Sequence, residues 1–210
     1  MRISKYEHAL LVLEQESAQL VLDPGSYSNL PELTNVAAVV FTHLHDDHTS
    51  VDHAHKIKNK FPEAKIFGTQ EVVDKLTGLG VQAVYHGDHY EVGPFQIDFY
   101  GDLHQVIHRS IPLVQNVGVM INSTLYYPGD SYTFPEQKVE VLACPTSAPW
   151  LRISDVIDFL DLVRPSKCFP THNALLSEQG HALQNSRVQQ IVEKHGGEFR
   201  YLLPGESWDL

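Results

Sequence analysis

The sequence is short of cysteine, of positive charge and of long apolar runs. Two cysteines in 210 residues, Cys144 and Cys168, cannot build a disulfide framework. Both lie among apolar neighbours, which reads as two small, reduced core residues of a cytosolic chain. Lysine and arginine number 15 against 26 acidic residues, a formal net charge of -11. A long phosphate backbone would be repelled by that excess, so no long nucleic acid is expected as a partner. No stretch approaches the roughly 20 apolar residues that a spanning helix needs. The apolar run Ala9–Leu13 behind the charged Met1–Lys5 is too short for the core of a signal peptide. The expectation is a cytoplasmic protein that does not enter a membrane. Linkers and low-complexity segments are missing too, so residues 1–210 read as one domain with a full core.

What the chain has in quantity is histidine, 13 of them, and three fall in the stretch Thr42-His43-Leu44-His45-Asp46-Asp47-His48. The stretch follows Val36-Ala37-Ala38-Val39-Val40-Phe41, a short β-branched run that reads as a buried strand. Histidines and carboxylates at the C-terminal end of such a strand stand where α/β sheets place ligand-binding groups. Neutral imidazole and carboxylate are ordinary ligands of zinc and related ions, and burying this many of them unpaired would be costly.

Along the chain, Tyr6–Leu13 and Gln19–Leu22 read as strands, the second broken off by Asp23-Pro24-Gly25. Val51, Ala54, Ile57 and Phe61 give helical spacing up to Pro62. Strands are expected at 64–67, 81–85, 95–100, 117–121, 125–127, 139–143, 167–169, 199–203 and 207–210. Further helices are expected from Gln70 to Leu76, from Ile153 to Val163 and from Ser177 to Lys194. Strand runs followed by helices, twice over, imply two sheets packed face to face with helices outside.

Three more candidate ligands follow predicted strands: His104, Asp130 and His172. Each taken singly has a bland reading as a turn or hydrogen-bonding residue. Together with His43, His45, Asp47 and His48 they make seven, enough for two metals that share Asp130. His108, four residues beyond His104, is the competing ligand; otherwise it is a candidate substrate contact. Arg109, Asn116, Tyr132, Ser147 and Trp150 also lie near strand ends, where the structural reading is preferred for each.

With Asp23 ahead of it, the order His43-Leu44-His45-Asp46-Asp47-His48, His104, Asp130, His172 resembles the metallo-β-lactamase fold superfamily over essentially the whole chain. The resemblance implies an α+β, four-layer αβ/βα sandwich of two mixed β-sheets. It also implies a dinuclear centre, with His43, His45 and His104 on one metal, Asp47, His48 and His172 on the other, and Asp130 bridging. Asp23 would support rather than ligate. Pro128-Gly129-Asp130-Ser131 and Ala148-Pro149-Trp150 are similar to the branch related to ascorbate-6-phosphate lactonase. The implied activity is hydrolysis of a small ester, lactone or phosphoester by a hydroxide held between two divalent ions, zinc first and Mn²⁺ or Fe²⁺ after it, with Asp47 orienting the water. A phosphodiesterase or nuclease of the same fold, or a non-catalytic metal-binding protein, is the alternative. The expected partner is a small-molecule substrate.

Overall fold

The computed structural model describes residues 1–210. Its elements run β1 (Arg2–Lys5), β2 (Leu11–Gln15), β3 (Ala18–Leu22), β4 (Val36–Phe41), α1 (Val51–Lys60), β5 (Lys65–Gly68), α2 (Gln70–Lys75), β6 (Val81–Ala83), β7 (His89–Val92), β8 (Phe95–Tyr100), β9 (Gly118–Ile121), β10 (Leu125–Tyr127), β11 (Val141–Pro145), α3 (Ile153–Val163), β12 (Lys167–Thr171), α4 (Glu178–Lys194), β13 (Glu198–Phe199) and β14 (Ser207–Asp209). They form two seven-stranded sheets, ordered β14-β1-β2-β3-β4-β5-β6 and β13-β12-β11-β10-β9-β8-β7. Each is mixed: β14 to β3 pair antiparallel and β3 to β6 parallel, while β7 to β10 pair antiparallel and β10 to β13 parallel.

Period-two alternation sorts the side chains into layers. Leu20 and Leu22 of β3, Val40 of β4, Tyr127 of β10 and Phe169 of β12 pack into the core between the sheets. Val21, Val39 and Phe41 turn to the other side and meet Ala54 and Ile57 of α1 and Val72 of α2. Tyr126, Leu142 and Cys168 likewise turn out onto Val156, Phe159 and Leu160 of α3 and Val188 of α4. Four layers result, the αβ/βα sandwich. Both free cysteines are buried in that last cluster, where burial pushes the Cys168 thiol well up. The helices start and stop as their sequences direct. Ser50 accepts the His53 N–H and Ser177 the Gly180 N–H, as N-caps do; α3 stops at Arg164, left-handed just before Pro165. Thr69 stands at the N-cap of α2 without a side-chain cap bond. No helix is long and apolar enough to cross a membrane.

The expected strand Tyr6–Leu13 is wrong in its first half. The chain makes β1 at Arg2–Lys5, turns through Tyr6–Leu10 with His8 at φ 57°, and only then enters β2. Glu7 accepts the Leu10 N–H at the turn, and no glycine or proline marks it. The expected strand at 199–203 shrinks to Glu198–Phe199, because only Lys167 and Cys168 pair with it. β7, His89–Val92, which pairs antiparallel with β8, was not among the expected strands.

Lys5 is buried at 2 % exposure, its Nζ donating to the Tyr6 carbonyl (2.8 Å) and to Asn173 Oδ1 (3.3 Å). Burial, opposed by the nearby Glu7 charge, pushes its ammonium down to about 8 from 10.5. The folded chain therefore gives up this proton earlier than the unfolded one. Below pH 8 both states carry it and folding bears the full penalty, about 3 kcal/mol at about 1.4 kcal/mol per unit. Between pH 8 and 10.5 that penalty is relieved, and stability rises. Urea unfolding across this window should show a rise of about 2–3 kcal/mol in the wild type relative to Lys5→Met; parallel pH profiles would contradict it.

Candidate metal centre

The strands that carry the candidate ligands end at one edge of the sandwich. Asp23 directly follows β3, the His43–His48 stretch follows β4, His104 follows β8, Asp130 follows β10 and His172 is the first residue past β12. The loop from His43 to His48 is folded on itself by the His48 and Thr49 N–H groups, both donating to the His45 carbonyl, and by the Thr49 hydroxyl donating to the His43 carbonyl. Asp46 points away from the centre and pairs with Lys75 of α2 at 2.7 Å.

The seven predicted side chains come together. Ligand-type atoms of His43, His45 and His104 lie within 4.8 Å of one another, and so do those of Asp47, His48 and His172 together with His8. Asp130 stands between the groups. Its Oδ2 is 3.4 Å from His104 Nε2 and 3.0 Å from His172 Nε2, and its Oδ1 is 3.2 Å from His48 Nε2. The His48, His104 and His172 Nε2 atoms and Asp130 Oδ1 are buried without a hydrogen-bond partner. Buried polar atoms are seldom left so. Four orphaned nitrogen and oxygen atoms facing one another, in a set of imidazoles and carboxylates, fit divalent metal ions.

The opposite nitrogen of each of these rings is anchored. His48 Nδ1 meets Asp23 Oδ2 at 2.7 Å, His104 Nδ1 meets the Gln105 carbonyl and His172 Nδ1 the Ser147 carbonyl. Such anchoring fixes the tautomer with a bare Nε2 turned to the centre. Asp23 is itself held by the Thr42 N–H and hydroxyl and by the Tyr127 hydroxyl, at 2.6–2.8 Å. Trp150 and Asn116, for which a structural reading was preferred, both touch Asp130. The Trp150 indole donates to Oδ2 at 2.9 Å, and Asn116 Oδ1 takes the Asp130 backbone N–H at 2.9 Å.

The electrostatics follow the packing. Burial pushes the Asp130 carboxyl up, but His172 and His48 more than offset it and hold it well below the usual range. Asp47 is held low in the same way, burial being outweighed by hydrogen bonds from His172 and His8. Burial lowers His48 and His172, and the carboxylates overturn it: His48 lies well above its ordinary value and His172 at about 9. His43 and His45 are lowered by burial and by neighbouring rings, and stay neutral. The carboxylate pair thus creates a demand for positive charge at the Nε2 atoms, where protons and metal ions compete.

His108 is exposed, and its Nδ1 is engaged with Ser110. It lines, with His45, His104, Arg109, Ile111 and Leu113, a cavity of about 360 Å³ that opens beside the centre. His8 was missed altogether. Its ring is 3.0 Å from Asp47 and its centroid 4.0 Å from that of His172; the only signal was the polar Glu7-His8 pair inside an apolar stretch. Burial pushes its imidazole down to about 4, against the Asp47 hydrogen bond.

Residues 2–172 match the family described as the beta-lactamase superfamily domain. The chain belongs to that family. It is 29 % identical over 198 residues to Protein Rv0786c of Mycobacterium tuberculosis, covering 91 % of this chain and 93 % of that protein. Among solved structures, Igni18 of Ignicoccus hospitalis, described as a novel metallo hydrolase, superposes with a TM-score of 0.75 at 20 % identity, covering 100 % of this chain and 98 % of its own. CmlA of Streptomyces venezuelae, a diiron β-hydroxylase, superposes at 0.72 and 13 % identity, over 100 % of this chain and 54 % of CmlA. At these identities the likeness is one of fold, and it is the metallo-β-lactamase sandwich.

Proposed function

We propose that this family member is a hydrolase that depends on two divalent metal ions, with a small carboxylic ester or lactone as substrate. The reading rests on the convergence of the orphaned His48, His104 and His172 Nε2 atoms on Asp130. His43, His45 and His104 would hold one ion, Asp47, His48 and His172 the other, and Asp130 both. When bound, such ions acidify water towards neutrality and offset the charge that develops on a reacting carbonyl oxygen. Zinc suits the histidine-rich set; Mn²⁺ and Fe²⁺ are the alternatives.

The chain's own residues supply the frame. Asp23, Gln105 and Ser147 hold the rings, Trp150 and Asn116 hold Asp130, and Asp47 would orient a water as well as ligate. The segment Leu103–Val114 forms the outer wall, with Val106, Ile111 and Leu113 all exposed beside the centre. Such a wall suits an apolar substituent on the scissile group and keeps bulk water from it. Arg109 is the lone cationic side chain lining that cavity; a phosphoester, with its higher charge, is correspondingly less well served.

Elemental analysis of the purified chain, alongside turnover of lactone, ester and phosphodiester panels before and after chelation, tests the reading. About two metals per chain and chelator-sensitive turnover of a lactone or ester are expected. Preferential phosphodiester cleavage would move the assignment to the phosphodiesterase alternative. Metal without turnover of any panel would leave a binding protein, and failure to take up metal on reconstitution would end the dinuclear reading.

A further inference from the structure

His8 lies outside the seven side chains assigned above, yet it is buried at 1 % exposure against them. Its left-handed backbone, φ 57°, is one that a non-glycine residue adopts only when its surroundings enforce it. The turn is enforced from both sides: the Ser28 hydroxyl donates to the Glu7 carbonyl, and the His172 N–H donates to the His8 carbonyl at 2.9 Å. The ring is consequently clamped between the two loops that carry Asp47 and His172.

Its tautomer follows from its neighbours. Nδ1 faces the Ala174 backbone N–H at 3.4 Å. That group can only donate, so Nδ1 is the bare nitrogen and the ring proton sits on Nε2. Nε2 is 3.0 Å from Asp47 Oδ2, to which it donates. A nitrogen that carries the proton has no lone pair for a metal ion, although His8 lies in the same cluster as Asp47, His48 and His172. The Asp47 carboxylate that this bond holds is one-fifth exposed.

We propose that His8 is a positioning residue: its Nε2–H orients the Asp47 carboxylate and its main-chain carbonyl sets His172, so that both present their remaining lone pairs to one metal. The proposal rests on the two-metal reading. It separates this side chain from the seven ligands although distance alone would make it an eighth.

Two replacements separate these roles. His8→Gln keeps an N–H donor near Nε2, whereas His8→Leu fills the space without one; both carry a Cβ and share the backbone strain. Cobalt titration, followed by visible absorption and by metal content, reads the second site without any turnover. The wild type is expected to take two ions. In His8→Leu the second should bind about 10–100-fold more weakly, as for loss of an outer partner of a metal ligand, with the first unchanged. His8→Gln should stay within a few-fold of the wild type, with the same spectrum. Wild-type binding of both ions by His8→Leu would overturn the proposal. So would a His8→Gln protein as weak as His8→Leu with an altered cobalt band, which would make His8 a ligand. Circular dichroism checks folding, and His8→Met replaces the leucine variant should it not fold. A wild type that takes only one ion would instead overturn the two-metal reading, and this proposal with it.

Discussion

An Asp130→Ala protein is expected to lose metal and turnover together, with metal content falling from about two to one or fewer and activity by well over the roughly 100-fold that loss of an outer partner costs. Asp130 is the one carboxylate within 3.4 Å of three Nε2 atoms, those of His48, His104 and His172. Alanine removes both carboxylate oxygens and the charge that does most to raise His48 and His172. In the metal-free protein the imidazole of His172 should accordingly fall from about 9 back below its ordinary value, because burial is then the dominant influence left. Asp130→Asn keeps the volume and one acceptor but not the charge, and should fall between. Metal analysis, turnover and an NMR titration of the metal-free histidines read the three effects. Two metals per chain with undiminished turnover in Asp130→Ala would show that the seven side chains do not act as a unit.

Gly25→Ala should be nearly as damaging, although glycine has no ligand to lose. The turn Asp23-Pro24-Gly25 lies flush against the His43–His48 stretch: the Ser26 N–H donates to the Asp46 carbonyl at 2.8 Å, and a Cβ on Gly25 would overlap the Asp47 carbonyl and the His48 nitrogen. Main chain is what it meets, so no side-chain rotation relieves the clash. Overpacking of this kind costs about 1–3 kcal/mol and more where backbone must move, or about 6–12 °C in Tm at the upper figure for a chain of this length. Any relief must displace Asp47 and His48, so metal affinity should drop with Tm. Gly205→Ala is the control: its φ of 87° also disfavours alanine, but a Cβ there meets open space. It should cost about 1 kcal/mol and leave metal binding alone. Differential scanning calorimetry and metal titration of both variants decide it; a Gly25→Ala protein indistinguishable from Gly205→Ala would refute the close-contact explanation.

The parts of the fold visible in the sequence were those written locally. The β-branched run Val36–Phe41, the spaced Val51, Ala54 and Ile57, and the Asp23-Pro24-Gly25 break each lie within a dozen residues, and each corresponds to an element or its end. The strand ends in turn pointed to His104, Asp130 and His172, which the structure brings to one edge. What local patterning could not carry were contacts made across the sandwich. His8 acquires its place from Asp47, 39 residues on, and from the His172 loop, and its turn rests on strain held by tertiary hydrogen bonds rather than on glycine or proline. Trp150 looked like a loop residue because its indole partner, Asp130, belongs to a different strand end. β13 was overextended for the same reason: its length is set by where β12 offers a partner, not by the apolar residues that follow.

The two sheets contribute unequally to the centre but both contribute. His43, His45, Asp47 and His48 hang from the first, and His104, Asp130 and His172 from the second, while the Tyr127–Asp23 hydrogen bond already joins the two beneath them. Ions held by all seven would be a fastener between the halves and would favour the folded chain by mass action, whatever reaction they supported. Substrate choice, on the proposed reading, would rest on the 17 residues between β8 and β9, of which His104, Asn116 and Val117 are buried while the others stand partly or fully exposed. On that reading the architecture separates the side chains that would fasten the fold from a loop that is free to drift. On the two-metal reading, a descendant could rewrite that loop and change its chemistry while the ions, by favouring the folded chain, kept the seven side chains in place.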